Sequence, residues 1–367
     1  HYAGYGGAEG GRDYDHVEMS VRTLRDVYLP PFHAAVTGAG VATVMSGFHD
    51  FNGVPVAANR FLLTDILRGE WGFKGLVVSD WNAVGELVQH GVARDDAEAA
   101  ALAVQAGVDM DMVMGVYVRN LAQLVRAGRV SQAVIDEAVR RILRVKFMAG
   151  LFDQPFTDTA RADRAMLTPE NRAVARQLAQ ETIVLLKNQN GLLPLLNQFH
   201  RIAVLGPLAH AQAELFGAWT LDGRTGDVTS IAEAIRQAAP QGAQVSLAAE
   251  HDYGDEAVSR VRYADVAVVV LGEHPSRSGE ASSVSSIELP DGQREFLQAV
   301  HDIGVPIVLV VLAGRPLAIP REMALAQAVV YAWHPGVEGG HAVADVLFGQ
   351  AAPSGKLPVT FPRRTGQ

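Results

Sequence analysis

Short apolar runs alternate with longer segments of helical periodicity over the first 150 residues. The short runs are predicted to be strands, because helices need longer stretches, and they lie at residues 41–46, 76–79 and 108–112. The longer segments have the apolar spacing of amphipathic helices, at residues 17–37, 62–68, 97–106, 117–127 and 131–149. Strands that alternate with helices predict a parallel sheet covered by helices.

The second half of the chain repeats this alternation. Strands are predicted at residues 201–205, 244–247, 266–271, 306–312 and 328–332, and helices at 169–187, 230–239, 255–263, 291–303 and 340–348. The runs at 266–271 and 306–312 are almost continuously apolar, which is typical of strands buried on both faces. The pattern predicts an open, largely parallel sheet with helices on both of its faces.

The two halves are predicted to be separate α/β domains. A polar segment with little periodicity, residues 153–168, is predicted to link them, and residues 169–367 to form an α/β sandwich. Residues 1–152 supply three strands and the end of an earlier one, whereas a parallel α/β barrel needs about eight strands. We therefore expect residues 1–152 to be the C-terminal half of a (β/α)8 TIM-like barrel.

Composition narrows the classes of function. The 367 residues carry a formal charge of −9, which argues against nucleic acids and anionic membranes as partners. The chain has no cysteine, no H-E-x-x-H zinc motif and no G-x-S-x-G elbow, so we predict no metal, no cofactor and no serine hydrolase. The longest apolar run, residues 305–313, is too short to span a bilayer. Because the chain begins at His1 rather than Met, we expect that a leading segment such as a signal peptide has been removed or left out.

One strand ends in a carboxylate followed by an indole, in the stretch Leu76-Val-Val-Ser-Asp80-Trp81. In parallel α/β barrels, polar residues at the C-terminal ends of strands face the active site. A carboxylate beside an aromatic face suits chemistry on a sugar ring. The alternative interpretation is that Asp80 caps the next helix.

A retaining glycosidase needs a second carboxyl group, about 5–5.5 Å from the first. The polar segment 272–286 follows a buried strand and offers Glu273 and Glu280. Glu273 abuts the strand and is predicted to hold the loop by hydrogen bonds. Glu280 lies in the middle of the loop and is the candidate acid, although it also fits a solvated loop carboxylate.

Three segments carry a resemblance to a known family: His1-Tyr-Ala-Gly-Tyr-Gly6, Ala42-Thr-Val-Met-Ser-Gly-Phe-His-Asp-Phe-Asn-Gly53, and the stretch from Arg68 to Trp81. They resemble glycoside hydrolase family 3, and most closely its bacterial periplasmic β-glucosidases. The resemblance implies that Asp80 is the nucleophile. It also implies that Glu280, in Glu280-Ala-Ser-Ser283, is the acid/base, although Val284 stands where the family usually has Arg.

The same resemblance implies a sugar-binding pocket. His1 corresponds to a His that binds sugar hydroxyls, although the Lys that precedes it in the family is absent here. Trp81 is expected to pack under the sugar, and Met45 and Phe48 to line the pocket. Trp219 is expected to stack on the leaving-group side, unless it is an ordinary packing residue. The Asp and Arg that grip the sugar in the family belong to the first half of the barrel and are not in this chain.

We therefore expect a retaining exo-β-glucosidase that hydrolyses β-glucosides or short β-gluco-oligosaccharides. The expected location is the periplasm or the outside of the cell, and a homodimer is compatible with the sequence. The alternatives are a family 3 β-xylosidase, a sugar-binding relative without activity, and a β-N-acetylglucosaminidase. The last class uses a His in the first loop as acid/base, a pattern that Asp13-Tyr-Asp-His16 matches faintly.

Overall fold

A computed structural model describes the chain except for residues 13, 197, 251 and 291. The chain divides into two compact units, His1–Asp158 and Thr159–Gln367. Each unit is an α/β structure, in agreement with the fold class that the sequence predicts.

The first unit is organised around a parallel sheet. Its described strands are β1 (Thr43–Met45), β2 (Asp50–Phe51), β3 (Val54–Pro55), β4 (Leu76–Trp81) and β5 (Met110–Met112). Strands β1, β4 and β5 pair in parallel in the order β1-β4-β5, and β2 and β3 form a short antiparallel hairpin. Tyr2 makes a parallel bridge to Ser46, just beyond β1, as expected for the end of an earlier strand.

Helices cover this sheet. The helical segments of the first unit are Tyr5–Gly7, Glu9–Gly11, Val21–Thr23, Leu24–Tyr28, Leu29–Thr37, Val56–Ala58, Phe61–Glu70, Gly85–Leu87, Asp96–Ala106, Val116–Arg126 and Gln132–Met148. The Asp95 side chain caps the helix Asp96–Ala106 by accepting a hydrogen bond from the Glu98 amide at 2.9 Å. That helix buries Ala99, Ala103 and Val104 in the core of the unit.

The second unit is organised around a six-stranded sheet in the order β6-β11-β10-β9-β7-β8. Its strands are β6 (Val184–Asn188), β7 (Arg201–Leu205), β8 (Gln244–Leu247), β9 (Val266–Gly272), β10 (Ile307–Leu312) and β11 (Ala328–Tyr331). Its helical segments are Ala160–Ala165, Pro169–Thr182, Gln189–Gly191, Ala213–Phe216, Thr225–Asp227, Ile231–Ala238, Asp255–Val261, Pro275–Arg277, Gln293–His301, Pro320–Leu325 and Gly339–Leu347. Strand β9 is buried throughout, and its alternate residues enter two separate hydrophobic cores, one on each face of the sheet.

The prediction of one helix over residues 169–187 is wrong in its last turn. The helix ends at Thr182, and the following residues form β6, which runs antiparallel to β11. The apolar run Ile183-Val-Leu-Leu186 suits either a buried helix or a buried strand, and pairing with β11 favours the strand. The sheet is therefore mixed rather than wholly parallel.

Candidate active site

Asp80 is the next-to-last residue of β4, and only 7% of its surface is exposed. Its Oδ1 atom accepts a hydrogen bond from the Trp81 amide at 2.7 Å, and its Oδ2 atom lies 2.9 Å from Nε2 of His1. The next helix, Gly85–Leu87, has Val84 as its N-cap residue, so the interpretation of Asp80 as a helix cap is wrong. The carboxylate is held within the strand, beside an imidazole.

Ser79 fixes the end of β4 beside Asp80, and sequence analysis missed it. Its side chain is buried, donates a hydrogen bond to the Asp80 carbonyl oxygen at 2.8 Å and accepts one from the Met112 amide at 2.8 Å. The hydroxyl therefore joins the C-terminal ends of β4 and β5. The Ser-Asp dipeptide was visible in the sequence, but the Met112 contact was not.

The segment that carries His1 is bound to the end of β1. The Tyr2 amide donates to the Met45 carbonyl at 2.8 Å, and the Gly47 amide donates to the Tyr2 carbonyl at 3.1 Å. The buried Tyr2 ring extends into the core, where its hydroxyl donates to the Leu62 carbonyl at 2.9 Å. These contacts place His1 next to Asp80.

The aromatic residues predicted for the first unit differ in exposure. Trp81 is 62% exposed, so its indole is available to a ligand beside Asp80. Phe48 is buried, and its ring packs edge-to-face on Tyr14 at 4.5 Å. Met45 is half-buried at the end of β1. Thus the first unit brings His1, Asp80 and Trp81 together, with Met45 and Phe48 at the end of the neighbouring strand.

His49 is a second residue that sequence analysis missed. Its side chain is fully buried, and Nε2 lies 2.9 Å from the Ala3 carbonyl oxygen, to which it donates a hydrogen bond. Burial lowers the pKa of His49, so the ring is neutral at pH 7. The contact ties the chain two residues after His1 to the segment that follows β1.

A second carboxyl group, that of Glu86, is affected by the negative charge of Asp80. The pKa of the half-buried Glu86 is raised, first by burial and then by the negative charge of Asp80. Glu86 follows Asp80 by six residues, in the helix Gly85–Leu87. The first unit therefore has an anionic region at the C-terminal end of β4.

His16, the residue of the alternative acid/base assignment, pairs with a carboxylate. Its Nδ1 atom lies 2.7 Å from Asp50 Oδ1, and Glu18 Oε2 lies 3.8 Å from Nε2. The hydrogen bond to Asp50 is the main cause that raises the pKa of His16. Asp13, which belongs to the same sequence pattern, lies outside the described residues.

Asp109 does not lie where the sequence predicted. The sequence predicts a strand over residues 108–112, but β5 is Met110–Met112 and Asp109 precedes it. Its buried carboxylate accepts hydrogen bonds from Arg68 at 2.6 Å, Arg141 at 2.8 Å and the Val77 amide at 2.8 Å. The residue therefore joins elements at the N-terminal end of the sheet, because two arginines distant in sequence converge on it.

The loop after β9 carries both of its predicted carboxylates. Glu280 is exposed, whereas the Glu273 side chain is 1% exposed and accepts hydrogen bonds from Arg277 Nε at 3.0 Å and Arg315 Nε at 2.8 Å. The prediction that Glu273 holds the loop by hydrogen bonds is confirmed. These arginines supply an anchor at the base of the loop, although Val284 stands at the position where the resemblance leads one to expect Arg.

Trp219 lies in the second unit, in a loop that contacts the Glu280 loop. Its side chain is 67% exposed. Gly279 packs so closely against Ala218 that a Cβ atom on Gly279 would lie 2.8 Å from the Ala218 Cβ atom. The second unit therefore places the neighbours of Trp219 and Glu280 in direct contact.

Within the described part of the chain, no cluster of three or more His, Asp or Glu side chains is arranged to hold a metal ion. In that same part, no helix is both long and apolar enough to cross a membrane.

The sequence matches two family descriptions. Residues 1–145 match the glycosyl hydrolase family 3 N-terminal domain, and residues 183–367 match the glycosyl hydrolase family 3 C-terminal domain. Together these matches cover most of the chain.

Individual relatives agree with this assignment. The chain is 39% identical to a periplasmic β-glucosidase of Salmonella typhimurium, over 100% of the chain and 52% of the relative. It is 37% identical to a β-xylosidase of Formosa agariphila, over 100% of the chain and 54% of the relative. The chain thus spans about half the length of these curated relatives.

A solved structure shows the same fold. A β-glucosidase from Listeria innocua in complex with glucose superposes with a TM-score of 0.93 at 38% sequence identity, over 100% of this chain and 51% of that one. The sequence matches, the full coverage of the chain and the shared fold agree, and the chain belongs to glycoside hydrolase family 3.

Proposed function

We propose that the chain carries the catalytic residues of a retaining exo-β-glucosidase, which removes terminal β-D-glucosyl residues by double displacement. The observation that carries the proposal is the Asp80 carboxylate, held at the C-terminal end of β4 beside His1 and the exposed Trp81. Membership of family 3 and similarity to β-glucosidases from Salmonella typhimurium and Listeria innocua support it.

In the first step, Asp80 attacks the anomeric carbon and forms a covalent glucosyl-enzyme, while the departing oxygen receives a proton. Asp80 is suited to this role because its Oδ1 atom is held by the Trp81 amide, which orients the carboxylate. His1 contacts the other oxygen and is the proposed ligand of sugar hydroxyls. Trp81 offers an apolar face for the sugar ring.

Glu280 is the proposed donor of that proton. Once ionised, it acts as the base that deprotonates the water in the second step, which releases glucose. Its exposed position in the loop after β9 supports this role. Trp219 is the proposed contact for the leaving group, because its loop packs against the Glu280 loop at Gly279.

The domain assignment is part of the proposal. We propose that residues 1–152 are half of a (β/α)8 barrel, that 153–168 form the linker and that 169–367 form the sandwich domain. The three parallel strands of the first unit and the bridge at Tyr2 support the barrel.

The name of the Salmonella relative supports a periplasmic location. The homodimer stays a prediction, which light scattering on the natural protein would test.

Covalent labelling tests the proposed function. The intact natural protein is incubated with a 2-deoxy-2-fluoro-β-glucoside that has a dinitrophenyl leaving group, and the labelled peptide is mapped by mass spectrometry. We expect one label, on Asp80, which Asp80→Asn abolishes. The control Asp111→Asn, at a carboxylate of β5 that accepts from the Tyr117 amide, should retain the label. A label on another residue contradicts the nucleophile assignment, and the absence of both label and turnover favours a sugar-binding relative without activity.

A β-xylosidase is the second candidate, because the Formosa agariphila relative with that name is 37% identical over the whole chain. Xylose lacks the hydroxymethyl group of glucose. A pocket that binds this group favours glucosides over xylosides by at least about tenfold in kcat/KM. We expect the nitrophenyl glucoside to have the higher kcat/KM. The reverse preference would assign the site to xylosides.

A further inference from the structure

The loop that carries Glu280 leaves its strand in a fixed direction. Gly272 is the last residue of β9. The side-chain amide of Gln293 makes hydrogen bonds to both the backbone amide and the backbone carbonyl of Gly272. The Gly272 amide donates to Gln293 Oε1 at 2.9 Å, and Gln293 Nε2 donates to the Gly272 carbonyl at 2.8 Å. Both contacts are buried, so they fix the orientation of the next residue, Glu273.

The Glu273 carboxylate joins two arginines at the base of the loop. Oε1 accepts from Arg277 Nε at 3.0 Å and Oε2 from Arg315 Nε at 2.8 Å, and Arg315 also donates to the Arg277 carbonyl oxygen. The buried Glu273 carboxylate therefore connects Arg277, which follows it by four residues, to Arg315, which follows β10. Charge-assisted hydrogen bonds of this kind are about twice as strong as neutral ones.

This cluster lies close to Glu280 in the chain. Arg277 is three residues before Glu280, and the Ser282 hydroxyl, two residues after it, donates back to the Ser276 carbonyl at 3.0 Å. Gly279 is also packed against Ala218. These contacts connect the backbone on both sides of Glu280 to the segment that Glu273, Arg277 and Arg315 hold in place.

We propose that Glu273 is a positioning residue, which acts through Arg277 and Arg315 to hold Glu280 where it protonates the leaving group. This inference rests on the proposed function, because it needs Glu280 to be the acid/base. Small displacements of a catalytic group strongly reduce the rate, whereas the fold tolerates them. A displaced acid affects substrates with poor leaving groups most, since good ones depart without protonation.

The test compares leaving groups in the intact natural protein. Glu273→Gln keeps the shape of the side chain and removes its charge, and kcat/KM is measured for dinitrophenyl glucoside, phenyl glucoside and cellobiose. We expect a loss of more than about tenfold for the two poor leaving groups and less than about threefold for the dinitrophenyl glucoside. Equal losses for all substrates, or no loss, would overturn the proposal.

Two further variants keep the test decisive. Glu322→Gln is the matched control, because Glu322 is a fully buried carboxylate that accepts from Arg294 at 2.6 Å, and it should change all three rates alike. If Glu273→Gln fails to fold, Arg277→Ala takes its place, and it must show the same leaving-group dependence for the proposal to stand. If Glu280→Ala itself lacks that dependence, the proposed acid/base is wrong; if only the Glu273 and Arg277 variants lack it, the positioning role is wrong.

Discussion

The Nε2 atom of His1 lies 2.9 Å from the Oδ2 atom of Asp80. The contact links the segment bound to the end of β1 with the carboxylate on β4, across neighbouring parallel strands. The imidazole of His1 is therefore in direct contact with the carboxylate of the proposed nucleophile.

His1→Ala should lower kcat/KM for nitrophenyl glucoside by about 10- to 100-fold, because it removes the imidazole that lies against Asp80 Oδ2 and is the proposed ligand of sugar hydroxyls, and losing a polar contact to a charged group costs about 1.5–3 kcal/mol. Steady-state kinetics on the natural protein measures the change. His33→Ala is the control, because His33 is an exposed histidine of the same unit that packs on Trp71. An unchanged kcat/KM for His1→Ala would show that the contact has no role in turnover.

Gly47→Ala should destabilise the first unit through His49. A Cβ atom at Gly47 would lie 2.8 Å from both Cε1 and Nδ1 of His49, the ring that holds the Ala3 carbonyl. We expect the free energy of unfolding to fall by about 1–3 kcal/mol, as in overpacked cores. Urea denaturation measures it, with Gly6→Ala as the control, since no atom lies within 4 Å of a Cβ at Gly6. Equal stability of both variants would contradict the tight fit.

Glu280→Ala should abolish cleavage of cellobiose and spare the first step with a dinitrophenyl glucoside, whose leaving group needs little protonation. Added azide should then accelerate turnover, because a small anion replaces the water that lacks its base. The readouts are steady-state rates and the azide product.

His16→Ala distinguishes the alternative assignment. We expect neither the leaving-group dependence nor azide rescue, because the structure pairs His16 with Asp50 and Glu280 is the proposed acid. If His16→Ala shows both effects while Glu280→Ala behaves like the parent, the acid/base lies in the first loop. The function would then be that of a β-N-acetylglucosaminidase.

Glu86→Gln should raise stability at neutral pH. Burial and the charge of Asp80 raise the pKa of Glu86 in the folded state, so folding favours its protonated form. That contribution is present below the ordinary carboxyl pKa and is lost as the pH rises through the raised value. The variant should therefore match the parent near pH 4 and exceed it by less than about 1 kcal/mol at pH 7.

Urea denaturation at both pH values checks the Glu86 prediction. Glu181→Gln, which neutralises an exposed carboxylate of the second unit, is the control for a general effect of charge. A gain for Glu86→Gln that is the same at pH 4 and pH 7 would refute the stated cause.

Most strands of the two units, though not β2, β3 or β6, were predictable from the sequence, and so was the position of Asp80 near the end of β4. A short, continuous apolar run such as the one in β9 fits few structures other than a buried strand, because a strand that is buried on both faces of a sheet needs apolar residues at every position. The Ser-Asp-Trp stretch and the loop with Glu273 and Glu280 were likewise recognisable from local chemistry. In each case the signal lies within a few adjacent residues.

Tertiary structure decided what depends on distant partners. The segment Ile183-Val-Leu-Leu186 suits helix and strand equally, and pairing of β6 with β11, more than 140 residues away, selects the strand. Asp109 became a buried ion-pair acceptor because Arg68 and Arg141 reach it from 41 and 32 residues away. His49 shows the same dependence, since its hydrogen bond to Ala3 spans 46 residues. A buried polar side chain needs a partner, and the chain brings that partner close only when it folds.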